Sequence, residues 1–300
     1  MNLQQLRVFV LTVNYKKLTL VAEKLNISQP TVTFHLNKLQ ENIGVPLFLT
    51  SSNRLIRLTD VGESFYHYAK QMVGMEDEIL NMVGEFHGLQ RGRVAIGSTY
   101  TPATYMLPQY LSLFMEKHPN ITISLEVNIA SRLLEMLINY ELDLAIVPHY
   151  RWEQKDYIVT PLAQDDLILV VSPAHPLASL SEVNFERLHR LPMIMHERKS
   201  VSRQLIDQWS EAHQLSLQNV MEVSATETMK EMVKKQMGAA ILSKKSCERE
   251  IENGELTGFP LPSFPEKRHI YLVRKKEKLL TPGIRAFMDC ILSEYVPIVD

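Results

Sequence analysis

The run Ser28-Gln29-Pro30-Thr31-Val32-Thr33-Phe34-His35-Leu36-Asn37-Lys38-Leu39-Gln40-Glu41-Asn42-Ile43 decides how the rest of the chain is read. Ser28 is placed to cap a helix, and Pro30 falls in the first turn, where a missing N–H costs little. Val32, Leu36, Leu39 and Ile43 recur at spacings of 4, 3 and 4 and so share one face. Pro30, Phe34, Asn37 and Glu41 point the other way, flanked by Thr31, Thr33 and Lys38. That outer face is short-chained and polar apart from Phe34, whereas an ordinary solvated face carries more Glu and Lys. Thr, Asn, His and Lys are side chains that meet base edges and phosphates. The expectation is a helix that enters a DNA major groove.

Upstream, Leu3, Leu6, Val10 and Val13 lie on one helical face with Phe9 beside them. Leu18, Val21, Ala22 and Leu25 give a second short amphipathic helix, with Thr19 placed to cap it. Asn26-Ile27-Ser28 is a tight joint, so the three helices read as a helix-turn-helix. Any small helical bundle shares this periodicity, and spacing alone leaves both open. Downstream, Leu47 to Thr50 and Arg54 to Leu58 read as two short strands around a Ser51-Ser52-Asn53 turn. That hairpin would be a wing, with Arg54 and Arg57 as phosphate or minor-groove contacts. Without the preceding helix they would read as two solvated arginines.

Thr59-Asp60 opens a long helix, with Thr59 as its cap and Asp60 at its positive end. Val61, Tyr68, Met75, Met82 and Leu89 recur every seven residues, and so do Phe65, Met72, Ile79 and Phe86. A heptad stripe sustained over about four repeats is best buried against a second copy. A helix packed on its own chain is the alternative. Gly62, Gly74, Gly84 and Gly88 weaken the helix in isolation, so partner packing is expected to hold it. A symmetric dimer would present two reading helices to two half-sites.

The totals agree with a DNA-binding module on a larger body. Three hundred residues suggest two domains or more, and 45% hydrophobic with 22% charged residues is ordinary for a globular protein. The net charge of −2 divides unevenly: residues 1–58 carry seven Lys/Arg against two acids, while residues 59–90 carry one base against six acids. The asymmetry isolates a basic N-terminal module. No apolar run approaches the roughly 20 residues of a membrane span. Met1-Asn2-Leu3-Gln4-Gln5 lacks a basic region followed by an apolar core, so no export signal and no membrane partner are expected. Cys247 and Cys290 have no CxxC or Cys/His ligand spacing, which argues against a disulfide framework or structural zinc and fits a cytoplasmic home.

Beyond Gln90-Arg91-Gly92-Arg93 the period changes. Val94 to Gly97, Ile121 to Leu125 and Leu142 to Val147 read as strands, with helices over Tyr105 to Lys117 and from a Ser131 cap to Tyr140. Leu167 to Val171, Leu191 to Met195, Val220 to Val223, Ala239 to Leu242 and Ile270 to Val273 continue the strands. Ser200 to His213, Thr226 to Lys235 and Pro282 to Ser293 are the later helices. The alternation predicts α/β with a mostly parallel sheet, arranged as two half-size lobes with a cleft between them. An enzyme is not expected: there is no His-Glu-x-x-His, no Gly-rich phosphate loop and no nucleophile elbow. Asp165-Asp166 reads as a surface turn. No metal and no cofactor are expected.

The chain as a whole resembles the LysR-type transcriptional regulators. The likeness is carried by Leu3 through Phe9, Ala22 and Leu25, Ser28 to Thr33, Leu39-Gln40-Glu41, Gly44 to Phe48, Arg54, and Leu58-Thr59 with Gly62. In the second part it is carried by Glu141 to Ile146, Leu167 to Ala178 and Met237 to Leu242. The resemblance implies an α+β multidomain protein: a winged helix-turn-helix over 1–58, a linker and dimerisation helix over 59–90, and a two-lobed α/β effector-binding domain like that of periplasmic solute-binding proteins over 91–300. Its lobe I would take about 91–162 and 268–300, and its lobe II about 163–267. It further implies a dimer or tetramer, a double-stranded promoter, a small-molecule effector, and RNA polymerase as a possible partner. The chain departs from the family pattern at Phe34, at Gln236, where glycine is frequent, and at Ser243, where proline is frequent.

The DNA contacts expected are Ser28, Gln29, Thr31, Thr33, Phe34, His35, Asn37, Lys38, Arg54 and Arg57. The dimer seam expected is Val61, Phe65, Tyr68, Met72, Met75, Ile79, Met82 and Phe86. Family position maps the effector cleft onto Ser98-Thr99-Tyr100-Thr101, Asn128 to Ser131, Val147-Pro148-His149, His196 to Ser202, and Ser224 to Thr226. Several of these are hydroxyls at helix starts, where N–H groups suit a carboxylate or phosphate. From these stretches Ser98, Thr99, Tyr100, Thr101, Ser131, His149, His196, Arg198, Ser200 and Thr226 are the expected effector contacts. Ser and Thr at helix starts also serve as plain caps.

Overall fold

The structure is a computed structural model that describes residues 1–49, 56–86, 92–149, 155–189, 191–264 and 268–293, with backbone alone at 85 and 86. The Ser51-Ser52-Asn53 turn, Arg54, the Phe86 side chain and Gly88 to Arg91 lie outside the described residues. The chain divides into two compact units, Met1–Leu89 with Ile138–Glu141, and Gln90–Leu137 with Leu142–Asp300.

In the first unit α1 (Leu3–Tyr15), α2 (Leu18–Leu25) and α3 (Gln29–Ile43) precede a long α4 (Asp60–Phe86). Asn2 and Gln5 form a capping box that starts α1, and Ser28 caps α3 by accepting the Thr31 N–H at 3.3 Å. Helix α2 starts at Leu18 without a side-chain cap, so Thr19 lies inside it and does not cap. Asn26 ends α2 in the left-handed region, which turns the chain into α3 within three residues. The buried faces are the apolar periodic ones: Leu6, Phe9 and Val10, then Val21 and Ala22, then Val32, Leu36 and Leu39. Phe9 sits at the centre, 5.4 Å from both Phe48 and Phe65 by ring centroids. Phe48 pairs antiparallel with Leu58, and the Leu49 N–H donates to the Arg57 carbonyl at 2.9 Å, which forms the base of a hairpin.

Helix α4 carries two faces. Gly62, Ala69 and Val73 are buried, with Phe65 and Tyr66 packed on the same core. Thr59 caps it by accepting the Gly62 N–H at 2.9 Å. Phe65 therefore belongs to the helix-turn-helix core, although the heptad spacing also places it on the seam.

The second unit contains two five-stranded sheets. One has the order β2-β1-β3-β10-β4, from β1 (Arg93–Ser98), β2 (Thr122–Val127), β3 (Leu144–His149), β4 (Tyr157–Gln164) and β10 (His269–Lys275). The other has the order β7-β6-β8-β5-β9, from β5 (Leu167–Val171), β6 (Pro192–His196), β7 (Gln218–Val223), β8 (Ala239–Ser243) and β9 (Thr257–Pro260). Pairings within β2-β1-β3 and β7-β6-β8 are parallel. Those that β10 and β5 make are antiparallel. The sheets are thus evenly mixed, not mostly parallel, because β10 and β5 join each sheet next to a crossing between the lobes.

Helices α5 (Tyr100–Tyr105), α6 (Leu107–Lys117), α7 (Ala130–Ile138) and α12 (Pro282–Ser293) accompany the first sheet in sequence. Helices α8 (Phe185–Leu188), α9 (Val201–Ala212), α10 (Thr226–Lys234) and α11 (Lys244–Glu252) belong with the second, along with a 3-10 turn at Pro176–Ser179. The helix expected from Tyr105 to Lys117 is broken at Met106 into α5 and α6, since Pro108 starts a fresh first turn. Helix α7 begins at Ala130, so Ser131 lies inside it and is not its cap. In β5, Leu167, Leu169 and Val171 face one apolar cluster while Ile168 and Val170 face another. Burial on both sides explains the unbroken apolar run in the sequence. Gln236 adopts φ +60°, the left-handed conformation for which glycine is suited.

Candidate DNA-reading helix and effector pocket

The face of α3 opposite its core residues is open. Gln29, Pro30, Thr33, Phe34, Asn37 and Lys38 are exposed, Phe34 by 62%. A large ring left in water on a face of small polar residues gains nothing from folding. Not all of this face is equally available. The Ser28 and Thr31 hydroxyls pair at 2.8 Å, and the Thr33 hydroxyl donates to the Gln29 carbonyl. Lys38 meets Glu41 at 3.0 Å, an exposed pair worth about 0.5 kcal/mol and easily exchanged for another anion. His35 is half-buried, and its Nδ1 has no partner among the described residues. Arg57 is exposed beside the hairpin base. Along α4, Val61, Tyr68, Met72, Met75 and Ile79 form a stripe 45–65% exposed, with Met82 half-buried.

A pocket of about 60 Å³ opens between the lobes of the second unit. That is room for about four to six waters, so it suits a small metabolite rather than a drug-sized ligand. The starts of α5, α7, α9 and α10 converge on it. Thr99, Tyr100 and Thr101 come from the first, Asn128 to Ala130 from the second, Ser200 to Ser202 from the third, and Ser224 and Thr226 from the fourth. Thr99 Oγ1 is buried and makes no hydrogen bond among the described residues, although it stands at a helix start. Ser200 caps α9 by accepting the Arg203 N–H.

The floor is charged and buried. Arg268 is 2% exposed, donates from Nη1 to the Ser202 hydroxyl at 2.6 Å, and pairs through Nη2 with Asp165. Asp165, 1% exposed, also accepts from Ser243. It is therefore a buried counter-charge and not the surface turn expected; only its neighbour Asp166 is exposed. Ser243 is likewise buried. His196 lines the same wall. Burial, reinforced by the nearby Arg268 and Arg203 charges, pushes its pKa down to about 4, so it is neutral near pH 7. Arg203 itself donates to the His196 carbonyl at 3.0 Å and to Asp207 at 2.7 Å.

A family model described as "LysR substrate binding domain" matches residues 87–295, and one described as "Bacterial regulatory helix-turn-helix protein, lysR family" matches residues 3–63. The chain belongs to the LysR family of transcriptional regulators. It is similar over its whole length to the RuBisCO operon transcriptional regulator of Allochromatium vinosum, at 28% identity covering 98% of this chain and 96% of that one. A full-length OxyR variant from Pseudomonas aeruginosa shares the fold, with a TM-score of 0.72 at 21% identity over 97% of this chain and 95% of that one. The regulatory domain of Synechocystis CcmR, solved in complex with 2-PG, superposes with a TM-score of 0.64 at 25% identity over 69% of this chain and 99% of that domain.

In this LysR-type regulator six of the ten expected effector contacts line the pocket: Thr99, Tyr100, Thr101, His196, Ser200 and Thr226. Four do not. Ser98 is fully buried in β1 and donates to the Ile146 carbonyl. Ser131 follows the α7 start and is exposed, and His149 ends β3 outside the lining. Arg198 is 81% exposed and leans 4.0 Å from Glu222. Arg268 was missed, because it lies next to β10 and 103 residues from its partner Asp165. The signal available was that any two-lobed chain crosses twice, and Asp165 and Arg268 sit at the two crossings. The family assignment makes the chain a DNA-binding regulator with an effector-binding domain and not an enzyme. Among the described residues no helix is long and apolar enough to cross a membrane.

Proposed function

We infer that this regulator reads promoter DNA with the outer face of α3, through Gln29, Thr31, Thr33, Phe34, His35, Asn37 and Lys38, with Ser28 at its cap. The observation that carries this reading is the exposed Phe34 ring on a face otherwise built of Gln, Thr, Asn and Lys. An apolar ring there suits the methyl of a thymine, while Lys38, Arg54 and Arg57 suit phosphates. The regulator acts in the cytoplasm as a dimer joined along the Val61, Tyr68, Met72, Met75 and Ile79 stripe, or as a tetramer of two such dimers. A two-fold partner would present the second reading helix to a second half-site. RNA polymerase is the partner through which such an arrangement would change transcription.

The effector is a small anion held between the lobes. Support comes from the free Thr99 hydroxyl, the buried Arg268 guanidinium and the converging helix starts. CcmR, solved with 2-PG, is a relative with a small ligand of that charge.

Fluorescence anisotropy with a defined promoter fragment tests the reading helix. Phe34→Ala is expected to weaken the specific site by about 1–2 kcal/mol and leave random DNA unchanged. Lys38→Ala is expected to weaken both alike and to reduce the salt slope by about one. Equal loss on both DNAs for Phe34→Ala would remove Phe34 from base reading.

A further inference from the structure

We propose that Asp165, by cancelling the charge of Arg268, makes the interlobe pocket selective for singly charged hydroxy-carboxylates over the more highly charged phosphorylated carboxylates. The proposal rests on the reading of that pocket as an anion site and sharpens it to a charge class.

The ground is a charge count around the pocket. Four cations are buried in the effector-binding unit among the described residues: Arg203, Lys230, Arg268 and Lys278. Each already meets a carboxylate. Arg203 reaches Asp207 at 2.7 Å, Lys230 reaches Glu250 at 2.7 Å, Lys278 reaches Asp143 at 2.6 Å, and Arg268 pairs with Asp165. Glu222 stands a further 3.6 Å from Arg203, and Glu227 3.1 Å from Lys230. Of these four cations only Arg268 lines the pocket, and Glu197 lines it too. His196 adds no charge. The side chains therefore offer an incoming anion no surplus positive charge.

What remains positive is backbone. The starts of α7, α9 and α10, helices of nine, twelve and nine residues, border the pocket. Each contributes about half an elementary charge, together about one and a half. With the Glu197 carboxylate set against it, one negative charge is the most that field can match. A second would be desolvated with nothing to offset it, and burying an unmatched charge is costly. Hydroxyls are the commonest polar group of the lining, Thr99, Thr101, Ser202, Ser224 and Thr226 among them, and Thr99 Oγ1 has no partner among the described residues. Hydroxyls answer hydroxyls, which points to a hydroxy acid. Arg268 still has N–H groups beyond those given to Ser202 and Asp165, since a guanidinium carries five donors. It orients the carboxylate without adding net charge.

The test is titration calorimetry of the full chain with matched probes: glycolate against 2-phosphoglycolate, and glycerate against 3-phosphoglycerate. The expected result is that the unphosphorylated member of each pair binds about tenfold tighter or more. Equal or tighter binding of the phosphorylated members overturns this proposal and leaves the anion reading standing. Binding of none of the four overturns the anion reading and the proposal together. Asp165→Asn keeps the shape and frees the Arg268 charge, so its preference is expected to move about tenfold or more toward the phosphorylated member. An unchanged preference in folded Asp165→Asn protein removes Asp165 from the selection. Should that variant not fold, the wild-type comparison alone decides.

Discussion

Gly62→Ala and Gly84→Ala make the same chemical change on the same helix, and the structure requires opposite outcomes. A Cβ on Gly62 would lie 2.1 Å from the Leu47 carbonyl oxygen and 3.2 Å from Leu58 Cδ2. The nearer atom is backbone and cannot swing aside, so α4 must back away from the Leu47–Leu58 segment by roughly 1 Å to restore contact distance. Two bonds span that seam: the Thr59 N–H to the Leu47 carbonyl at 3.0 Å, and the Thr59 hydroxyl to the Pro46 carbonyl at 2.9 Å. Overpacking costs about 1–3 kcal/mol and a weakened hydrogen bond about 1, offset by about 1 kcal/mol of helix propensity gained. The net loss is about 1–3 kcal/mol. Gly84 has no atom within 4 Å of its would-be Cβ, so the propensity gain of up to about 1 kcal/mol stands alone. Scanning calorimetry of the full chain reads both, with the effector-binding unit as internal reference. The DNA-binding transition is expected to fall by roughly 5–20 °C in Gly62→Ala and to rise by a few degrees in Gly84→Ala. If the two variants melt together, the close approach at Gly62 is not a constraint and the reasoning fails.

Three further outcomes are expected. His196 has its pKa pushed from 6.5 to about 4, so on acidification the unfolded chain takes up a proton first. Stability is full above about pH 6.5 and declines toward pH 4 by at most about 3 kcal/mol, a slope that His196→Asn should flatten in urea titrations at stepped pH. Burial lowers His149 and His175 as well, so some slope should remain. Ile79→Lys puts a charge on the 51% exposed α4 stripe, leaving thermal stability of a monomer unchanged but shifting sedimentation toward single chains; an unaltered dimer would clear this face of the role. Tyr105→Phe deletes the hydroxyl that accepts from Lys230 Nζ at 2.9 Å across the lobes, at a cost of about 1–2 kcal/mol in the effector-binding transition.

What could be read from the sequence was what is local along it. The α3 face, its Ser28 cap and the Thr59 cap depend on residues three or four apart, and periodicity exposes them. The heptads of α4 were legible too, yet Phe65 went to the core beside Phe9. A period of 3.5 and one of 3.6 cannot be separated over a single turn, and only tertiary packing assigns a residue between two adjoining faces. Strands β4 and β9 were missed. Tyr157–Gln164 carries Thr160 and Pro161 in mid-strand, and Thr257–Pro260 is four residues long. Neither shows an apolar period. In the pocket, hydroxyls next to helix starts announced themselves, whereas Arg268 and Asp165 gave no sign. Their pairing exists only once the chain has left one lobe and come back.

That pairing has a mechanical side. The Asp165 N–H donates to the Arg268 carbonyl at 2.8 Å, so the outgoing and returning strands are riveted backbone to backbone where they pass. The bond carries the β4–β10 ladder up to the crossing, and ribbons laddered that far can flex beyond it but cannot slide past each other. Any turn of one lobe on the other would therefore travel least at that crossing and most at the far tips.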